Sequence, residues 1–381
     1  MKKLDPVKIA KDLISLKSYE GANEPYIYIK GLLESHGAKV QEIESKGVKS
    51  IHATIGEGKE MAEIGFNGHY DTVHPVLGWD TDPLKPVIKD GNLYGLGASD
   101  MKGSLASMLV AYLELARAGP KKKIIFQAVG DEEVGGENGT KVMVDRGMVA
   151  KRMVVGEPSG NNVGYAHKGL LRAEIKTIGR AAHASRTYAG ESAILNMNTL
   201  INTIAYDNFL KMKCTKENVE EAITCNIGKI NGGRTINVVP DDCSMLLDIR
   251  VPHTNSLDEV ERYLKQITGE KGTVDIRRKS EGMYTKPDDP FILTCQKIAI
   301  DVIKKGVKLS YALGSCDGRY FTYKGIPTVK MGACGFNAEG HRMFHIKNEF
   351  VGVEDLRTWS EIFRRVAWHY VFDPEKSDEN A

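Results

Sequence analysis

The feature that most constrains the fold is an alternation of short apolar runs with longer helical segments. Three runs have the length and composition of strands: MAEIGFNG (61–68), KIIFQAVG (123–130) and RMVVGEP (152–158). Between the first two, SLASMLVAYLELARAGP (104–120) has the character of a helix that ends at Gly119-Pro120. Strands that alternate with helices are typical of a parallel sheet covered on both faces. The sequence therefore predicts an α/β domain with a mostly parallel, doubly wound sheet.

Two further segments complete this first part of the chain. Residues 5–36 have the pattern of one helix that ends at His36-Gly37. The segment VIKDGNLYG (87–95) alternates around Asp90-Gly91, which is a strong signal for a β-hairpin turn.

The pattern changes near residue 169. Strand patterns at 170–178, 222–230, 243–251 and 273–280 enclose helical patterns at 192–210 and 256–267, where Ser256 is a candidate N-cap. This βαββαβ order predicts a two-layer unit able to fold by itself. After Gly282 the first pattern resumes, with a helix at 289–306 and a strand at 326–333. We therefore predict an α/β catalytic domain, 1–168 and 283–381, with an α+β domain inserted at 169–282.

Composition narrows the class of protein. A net charge of +2 gives no reason to expect nucleic acid or an anionic membrane as a partner. No apolar run approaches the roughly 18 residues of a membrane span, and Asp5-Pro6 is typical of a helix start, not of a signal peptide. The six cysteines include no CxxC pair, so a zinc–cysteine site is not expected. Free thiols favour a cytoplasmic location.

Polar clusters follow the predicted strands, each at the point where its strand ends. In chain order they contain His69 and Asp71, then Asp100 after the hairpin, then Asp131, Glu132 and Glu133, then Glu157, and finally His341 and His345. Ligands of open α/β sheets bind beyond the carboxyl ends of the strands. The five clusters are therefore expected to converge on one site.

Histidines and carboxylates without cysteine suit zinc or a related divalent cation. The set is large enough for two cations that share a bridging carboxylate. Residues two apart in an extended segment face the same way, so Asp71 could accept a hydrogen bond from the far nitrogen of His69. Glu132 and Glu133 leave the backbone in different directions, so one could bind metal while the other acts as a general base.

Taken singly, these motifs have plainer explanations. An HxD is usually a surface loop, and adjacent glutamates are usually solvated. The stretch GLGASDMKG is similar to GxGxxG, but Asp100 occupies the third glycine position and a hairpin precedes it, which excludes a dinucleotide site. His341 competes with His345 as a ligand. Without further information His183 would be a loop histidine, and Arg250 a solvated residue at a strand end.

As a set, the motifs resemble those of one family. The stretches are GHYDTV, GLGASDMKGS, DEEVGG, VGEP, GRAAHAS, TINVVPDD, DIRVP, SCDGRYF and FHIKNE, and they span nearly the whole chain. They are similar to the two-zinc hydrolases that include acetylornithine deacetylase, succinyl-diaminopimelate desuccinylase, aminoacylase and glutamate carboxypeptidase.

The resemblance implies a role for each residue of the cluster. Asp100 would bridge two metal ions, most simply zinc with cobalt as an alternative, and the Asp100–Met101 bond would be cis. One ion would be completed by His69 and Glu157. The other would be completed by Glu133 and by His345, which Asn348-Glu349 follow as in the family's H-x-x-N-E. Glu132 would be the general base, and Asp71 would orient His69.

The inserted domain resembles the family's lid and dimerisation domain, which implies a homodimer. His183 would reach the partner subunit's active site and stabilise the oxyanion. Asn237 and Arg250 would hold a substrate carboxylate, for which the fork of an arginine is well suited. Ser315 and Arg319 would belong to a substrate-binding loop. Desuccinylases usually have G-T-S-D where this chain has Gly314 to Asp317, and GFNAEGHRMF also differs, which leaves the acyl group open.

The resulting hypothesis is hydrolysis of the amide bond of an N-acyl amino acid by a two-metal-bound water, as in acetylornithine deacetylase or succinyl-diaminopimelate desuccinylase. The substrate would be a small molecule. A metallo-carboxypeptidase or dipeptidase of the same family is the alternative. A zinc aminopeptidase is disfavoured by the inserted domain, and a non-enzymatic scaffold is disfavoured by the complete set of ligands and base.

Overall fold

The structure is a computed structural model. It describes residues 4–372 apart from Ala22, Asp207, Asn208, Met212, Lys213, Lys216, Asn218 and Lys305. The chain divides into two compact units. The first contains Met1–Tyr165, Tyr284–Ser310 and Cys316–Ala381, and the second contains Ala166–Met283 and Tyr311–Ser315. The sequence did not predict that Tyr311–Ser315 would join the second unit.

The α-helices are α1 (Pro6–Ile14), α2 (Glu24–Ser35), α3 (Lys102–Ala118), α4 (Thr140–Asp145), α5 (Ala193–Tyr206), α6 (Leu257–Thr268), α7 (Pro290–Ile303), α8 (Gly318–Tyr323) and α9 (Val353–Val371). Within the described residues none is long and apolar enough to cross a membrane.

The β-strands follow the same chain order. They are β1 (Lys39–Ser45), β2 (Val48–Ile55), β3 (Ile64–His69), β4 (Val87–Lys89), β5 (Asn92–Tyr94), β6 (Ile124–Val129), β7 (Met153–Val155), β8 (Val163–His167), β9 (Gly169–Ile178), β10 (Leu210–Lys211), β11 (Ile223–Gly232), β12 (Asp242–Val251), β13 (Gly272–Ser280), β14 (Met283–Tyr284), β15 (Leu309–Ala312), β16 (Thr328–Lys330) and β17 (Phe350–Gly352).

The largest sheet has the order β1-β2-β6-β3-β7-β16-β8-β14. Its centre, β6-β3-β7-β16, is parallel, whereas β1, β2 and β8 pair antiparallel. Every residue of β3 and β6 is buried, as expected for strands covered on both faces. The predicted mostly parallel α/β fold is confirmed. The β1–β2 hairpin and α9 were not predicted.

Helices cover both faces of this sheet. The main core contains side chains of α1, α3, α7 and α9, and it includes Phe66 of β3 and Phe126 of β6. A smaller apolar cluster of Ile43, Val129 and Met143 includes the last residue of β6 and a residue of α4. Because successive strand residues point to opposite faces, Phe126 and Val129 lie on different sides of β6.

The N-terminal segment forms two helices, so the prediction of one helix over 5–36 was wrong. α1 ends at Ile14, and the backbone of the following segment is left-handed at Glu20 (φ 59°) and Gly21 (φ 73°), a conformation that an α-helix does not contain. Pro25 then lies in the first turn of α2, where the missing N–H of proline leaves no hydrogen bond unmade. Gly21 and Pro25 were the signals in the sequence that could have revealed the break.

The second unit holds a sheet of order β10-β11-β12-β9-β13. The strands β11, β12, β9 and β13 pair antiparallel. Their buried side chains form a core with α5 and α6. Ser256 caps α6, since its Oγ accepts from the Asp258 N–H at 3.1 Å. The order agrees with the predicted βαββαβ pattern, with β10 added.

A small third sheet joins β17, β5 and β4. Its hairpin turns at Asp90 (φ 50°) and Gly91 (φ 76°), the two left-handed residues that a tight type I′ turn requires. The predicted hairpin is therefore confirmed. β17 begins directly after Glu349, which places that residue beside the loop after β5.

Candidate metal centre

The parallel strands bring the predicted residues to one edge of the sheet. β3 ends at His69, β6 is followed by the 3₁₀ turn Glu132–Val134, and β7 ends two residues before Glu157. These strands are direct neighbours. Parallel strands present their carboxyl ends at the same edge, so side chains that follow them meet there.

The buried part of the cluster contains His69 and Glu157, which we call the inner end. The His69 Nε2 lies 3.2 Å from Asp100 Oδ1 and 3.5 Å from Glu157 Oε1. The His69 residue is only 1% exposed. An imidazole nitrogen and two carboxylate oxygens therefore point at one small volume.

The more accessible part contains Glu133 and His345, which we call the outer end. The His345 Nε2 lies 3.1 Å from Glu133 Oε1 and 3.6 Å from Asp100 Oδ2. Asp100 thus turns one oxygen to each histidine, which is the arrangement that a bridging carboxylate needs. His341 is exposed and its N–H donates to Asn337 Oδ1 at 2.8 Å, so the structure brings His345 to the cluster and leaves His341 in a turn.

The residues fit divalent cations. Glu157 Oε1 is buried and has no hydrogen-bond partner within the described part of the chain, a costly state for a carboxylate oxygen. Burial, and then the charge of Asp100, raise the pKa of Glu157 to about 7. Burial and Glu157 also raise the pKa of Glu132 well above its usual range. A bound cation would relieve this crowding of negative charge.

Two overlapping groups have ligand atoms within 4.8 Å of one another: His69, Glu132 and Glu157, and His69, Asp100 and Glu133. Both adjacent glutamates are therefore in reach of a cation. Their assignment as base and ligand stays a prediction.

Asp71 has a wider role than the sequence suggested. The His69 Nδ1 is 2.9 Å from the backbone carbonyl of Asp71 but 3.5 Å from its carboxylate. The carboxylate instead accepts from the backbone N–H groups of Glu132 at 3.3 Å and Glu133 at 3.1 Å. The backbone of Asp71 thus fixes the His69 tautomer, and its side chain holds the turn with both glutamates.

Glu349 and Asn348 fix the bridging loop and the outer end, roles that sequence reasoning missed. Glu349 is buried, and its carboxylate accepts from the N–H groups of Gly97 at 2.9 Å, Ser99 at 2.8 Å and Asp100 at 2.9 Å. The Asp100–Met101 bond is cis, as predicted. Asn348 exchanges two hydrogen bonds with Asp80, at 3.0 and 2.8 Å. The motif H-x-x-N-E was the available signal.

Arg319 is placed to support the glutamate turn. It is 3% exposed, and its guanidinium donates to the carbonyl of Gly135 at 2.6 Å and to that of Cys316 at 2.7 Å. The Tyr320 hydroxyl donates to the same Gly135 carbonyl at 2.7 Å. These contacts favour a role of Arg319 in positioning the turn that carries Glu132 and Glu133, and its contact with substrate stays a prediction. Ser315 falls in the second unit.

Lys330 is a further charged residue that the sequence reasoning did not single out. It is the last residue of β16, and its Nζ lies 3.8 Å from Glu157 Oε2. A lysine inside the apolar run IPTVKMGA was the signal that could have found it.

The remaining predicted residues lie in the second unit. His183 and Asn237 are neighbours there, because Ala184 N–H donates to the Asn237 carbonyl at 3.0 Å. Both are exposed. Arg250 donates through Nε to Asp248 Oδ1 at 2.7 Å, so its guanidinium already has one carboxylate partner.

Comparison with known proteins agrees with this architecture. The sequence model of the family described as "Peptidase family M20/M25/M40" matches residues 65–369. The succinyl-diaminopimelate desuccinylase of Wolinella succinogenes is 29% identical over 328 residues, which cover 80% of this chain and 84% of that protein.

Two solved structures share the fold. Aminopeptidase PepT of Bacillus cereus has a TM-score of 0.78 at 22% identity, covering 96% of this chain and 98% of that one. The YXEP protein of Bacillus subtilis, described as a dinuclear metal binding peptidase, has a TM-score of 0.71 at 16% identity, covering 95% of this chain and 96% of that one. Since the family match extends over most of the chain, this protein is a member of peptidase family M20/M25/M40.

Proposed function

We propose that this protein hydrolyses the amide bond of an N-acyl amino acid with two divalent cations, most simply zinc. The observation that carries the proposal is the convergence of His69, Glu157, Glu133 and His345 around the two oxygens of Asp100. When bound, such cations acidify a shared water and polarise the carbonyl oxygen of the substrate. His69, Asp100 and Glu157 would hold one cation, and Asp100, Glu133 and His345 the other.

Glu132 is the general base in this proposal. Burial and the neighbouring Glu157 raise the pKa of its carboxyl group in the metal-free protein, and a base works best when its pKa lies near the working pH. It takes a proton from the attacking water and passes it to the leaving amine. Asp71 and Arg319 keep its backbone in place.

The second unit would supply the groups that bind the rest of the substrate. In the proposal His183 stabilises the oxyanion from the partner subunit, and Asn237 and Arg250 hold the substrate carboxylate. The exposure of His183 and Asn237 supports a role toward a molecule outside this unit. Arg250 would have to share its guanidinium between Asp248 and the substrate.

A homodimer formed through the second unit is part of the proposal. This unit carries large apolar side chains in solvent, among them Tyr188, Leu195, Tyr206 and Ile236, a feature typical of association surfaces. Leu195→Asp should therefore give a monomer in sedimentation velocity and lose the activity that depends on His183. A Leu195→Asp protein that stays dimeric would remove this surface from the interface.

A peptidase is the second candidate function. The two solved structures described above are named as peptidases, and the Gly314–Asp317 segment departs from the desuccinylase pattern. The catalytic chemistry would be the same, and only the group on the acyl side of the amide would differ.

A hydrolysis panel on zinc- or cobalt-loaded protein separates these candidates. It contains N-acetylornithine, N-acetyllysine, N-succinyl-diaminopimelate and several dipeptides, each repeated with Glu132→Gln. Cleavage of one acyl amino acid that is absent in the variant is the expected result. Cleavage of dipeptides alone would favour the peptidase, and no cleavage of any amide by metal-loaded protein would contradict both.

A further inference from the structure

Lys330 places a positive charge at the buried side of the metal centre. It is 6% exposed and pairs with Val155 of β7 in the parallel sheet. Its ion-pair partner within the described residues is Glu157, 3.8 Å away. The neighbouring strand leaves space for it: a Cβ on Gly164 would lie only 3.2 Å from the Lys330 Cβ. The surrounding backbone therefore accommodates this side chain.

The Lys330 ammonium faces a carboxylate in a buried position. Its Nζ lies 3.8 Å from Glu157 Oε2, and the two side chains are only 8% and 7% exposed. Burying an ammonium costs free energy that a single ion pair seldom repays. An apolar residue would suit the end of a buried strand better, and the reaction described above does not use the ammonium. Its presence therefore requires another explanation.

We propose that Lys330 sets the charge of the inner end and weakens its hold on a divalent cation. The inference rests on the proposed function, because it takes His69 and Glu157 as ligands. Two effects act in the same direction. The ammonium attracts Glu157 Oε2, whereas Oε1 is the oxygen 3.5 Å from His69 Nε2. It also repels a cation bound by Glu157, in buried surroundings that screen charge poorly.

The outer end has a different environment. Its His345 is 45% exposed at the side chain, so water screens charges there more effectively than at the inner end. The cation concentration at which the inner end becomes half occupied would then depend on Lys330. Lys330 is thus a positioning residue that acts on the metal through Glu157.

Zinc affinity of metal-free protein tests the proposal without any activity assay. The titration uses a competing chromophoric chelator in the His345→Ala background, where the inner end keeps both of its own ligands. Lys330→Met, which removes the charge but keeps the length, is compared with Lys330→Arg, which keeps the charge. Lys121→Met, an exposed lysine outside the centre, controls for net charge. The same titration is repeated without His345→Ala.

Lys330→Met should lower the zinc Kd at least tenfold, whereas Lys330→Arg and Lys121→Met should stay within about threefold of their parent. In the native background the weaker of the two binding steps should tighten. An unchanged or weaker Kd in a folded Lys330→Met protein would overturn the inference and leave the proposed function intact. Failure of every variant and of the parent protein to bind zinc would overturn both.

Discussion

The inner and outer ends of the metal centre are built by different means. The inner ligands His69 and Glu157 follow buried parallel strands, and their side chains are 1% and 7% exposed. The outer ligands Glu133 and His345 lie on a turn and a loop, at 11% and 45%. His345 and Asn348 have left-handed backbones, with φ of 58° and 57°. The sheet positions the inner end, whereas hydrogen bonds between loops position the outer end.

The residues around Asp100 support different parts of the centre. Glu349 holds the loop that carries Asp100, Asp71 holds the glutamate turn, and the Asp80–Asn348 pair holds the loop after His345. Such supporting contacts typically change metal affinity or activity by 10- to 100-fold when lost. Substituting the residues of these contacts one at a time should therefore show which end of the metal centre each contact supports.

The largest effect is expected for Glu132→Gln. The amide keeps the shape of the side chain but cannot accept the proton, so turnover should fall by roughly 10²–10⁴-fold or more while both ends still bind zinc. Steady-state kinetics and zinc content measure the two quantities. Glu137→Gln, at an exposed site nearby, should behave like the parent. Substantial activity in Glu132→Gln would remove the residue from the base role.

The two histidines should differ in their effect on the metal-free protein. His69→Ala leaves a cavity in a buried region and should lower the free energy of unfolding by roughly 2–4 kcal/mol. His345→Ala alters a half-exposed side chain and should cost about 0.5 kcal/mol. Urea unfolding without metal measures both. Equal losses of unfolding free energy in the two variants would contradict the difference in burial between the two ends.

Glu349→Gln should disturb both ends, because Asp100 serves both. Of the three backbone N–H groups that now donate to the carboxylate, at least one would face the NH₂ group of the amide and lose its hydrogen bond. Zinc affinity and kcat should therefore each fall by roughly 10- to 100-fold. KM should change less, since the residue does not face substrate. Recovery of affinity in Glu349→Asp would support positioning by the carboxylate. A drop in thermal stability with normal zinc binding would contradict it.

Asp80→Ala should give the smallest effect and act on the outer end alone. It removes both hydrogen bonds to Asn348, so we expect about a tenfold loss in one zinc-binding step. The other step should be unchanged in the same titration. Equal weakening of both steps would show that the loops are coupled.

Most ligands of the metal centre could be predicted from the sequence. Strand ends in a parallel sheet converge by geometry, so His69, Glu132, Glu133 and Glu157 could be brought together from their positions in the chain alone. The choice of His345 over His341 needed the family resemblance, because the loop that carries both histidines has no regular structure to predict its course.

The supporting contacts were harder to predict. The Glu349 carboxylate accepts hydrogen bonds from backbone N–H groups about 250 residues away in sequence. Because every residue except proline has a backbone N–H, no residue type in the sequence marks these partners. The hydrogen bonds of Arg319 to the Gly135 and Cys316 carbonyls could not be predicted either, because sequence does not show which face of a short helix is buried. The break between α1 and α2, by contrast, had signals in the sequence, because Gly21 and Pro25 both lie between two helical patterns.

The number of divalent cations that one chain binds is the decisive test of a shared two-metal centre. Metal-free protein would be titrated with zinc and its content measured by mass spectrometry after removal of free metal, alongside Asp100→Ala. A shared centre predicts two zinc ions per chain in the parent and weakened binding of both in the variant, since Asp100 faces both histidines. One zinc per chain, or two that are unaffected by loss of Asp100, would contradict a shared two-metal centre.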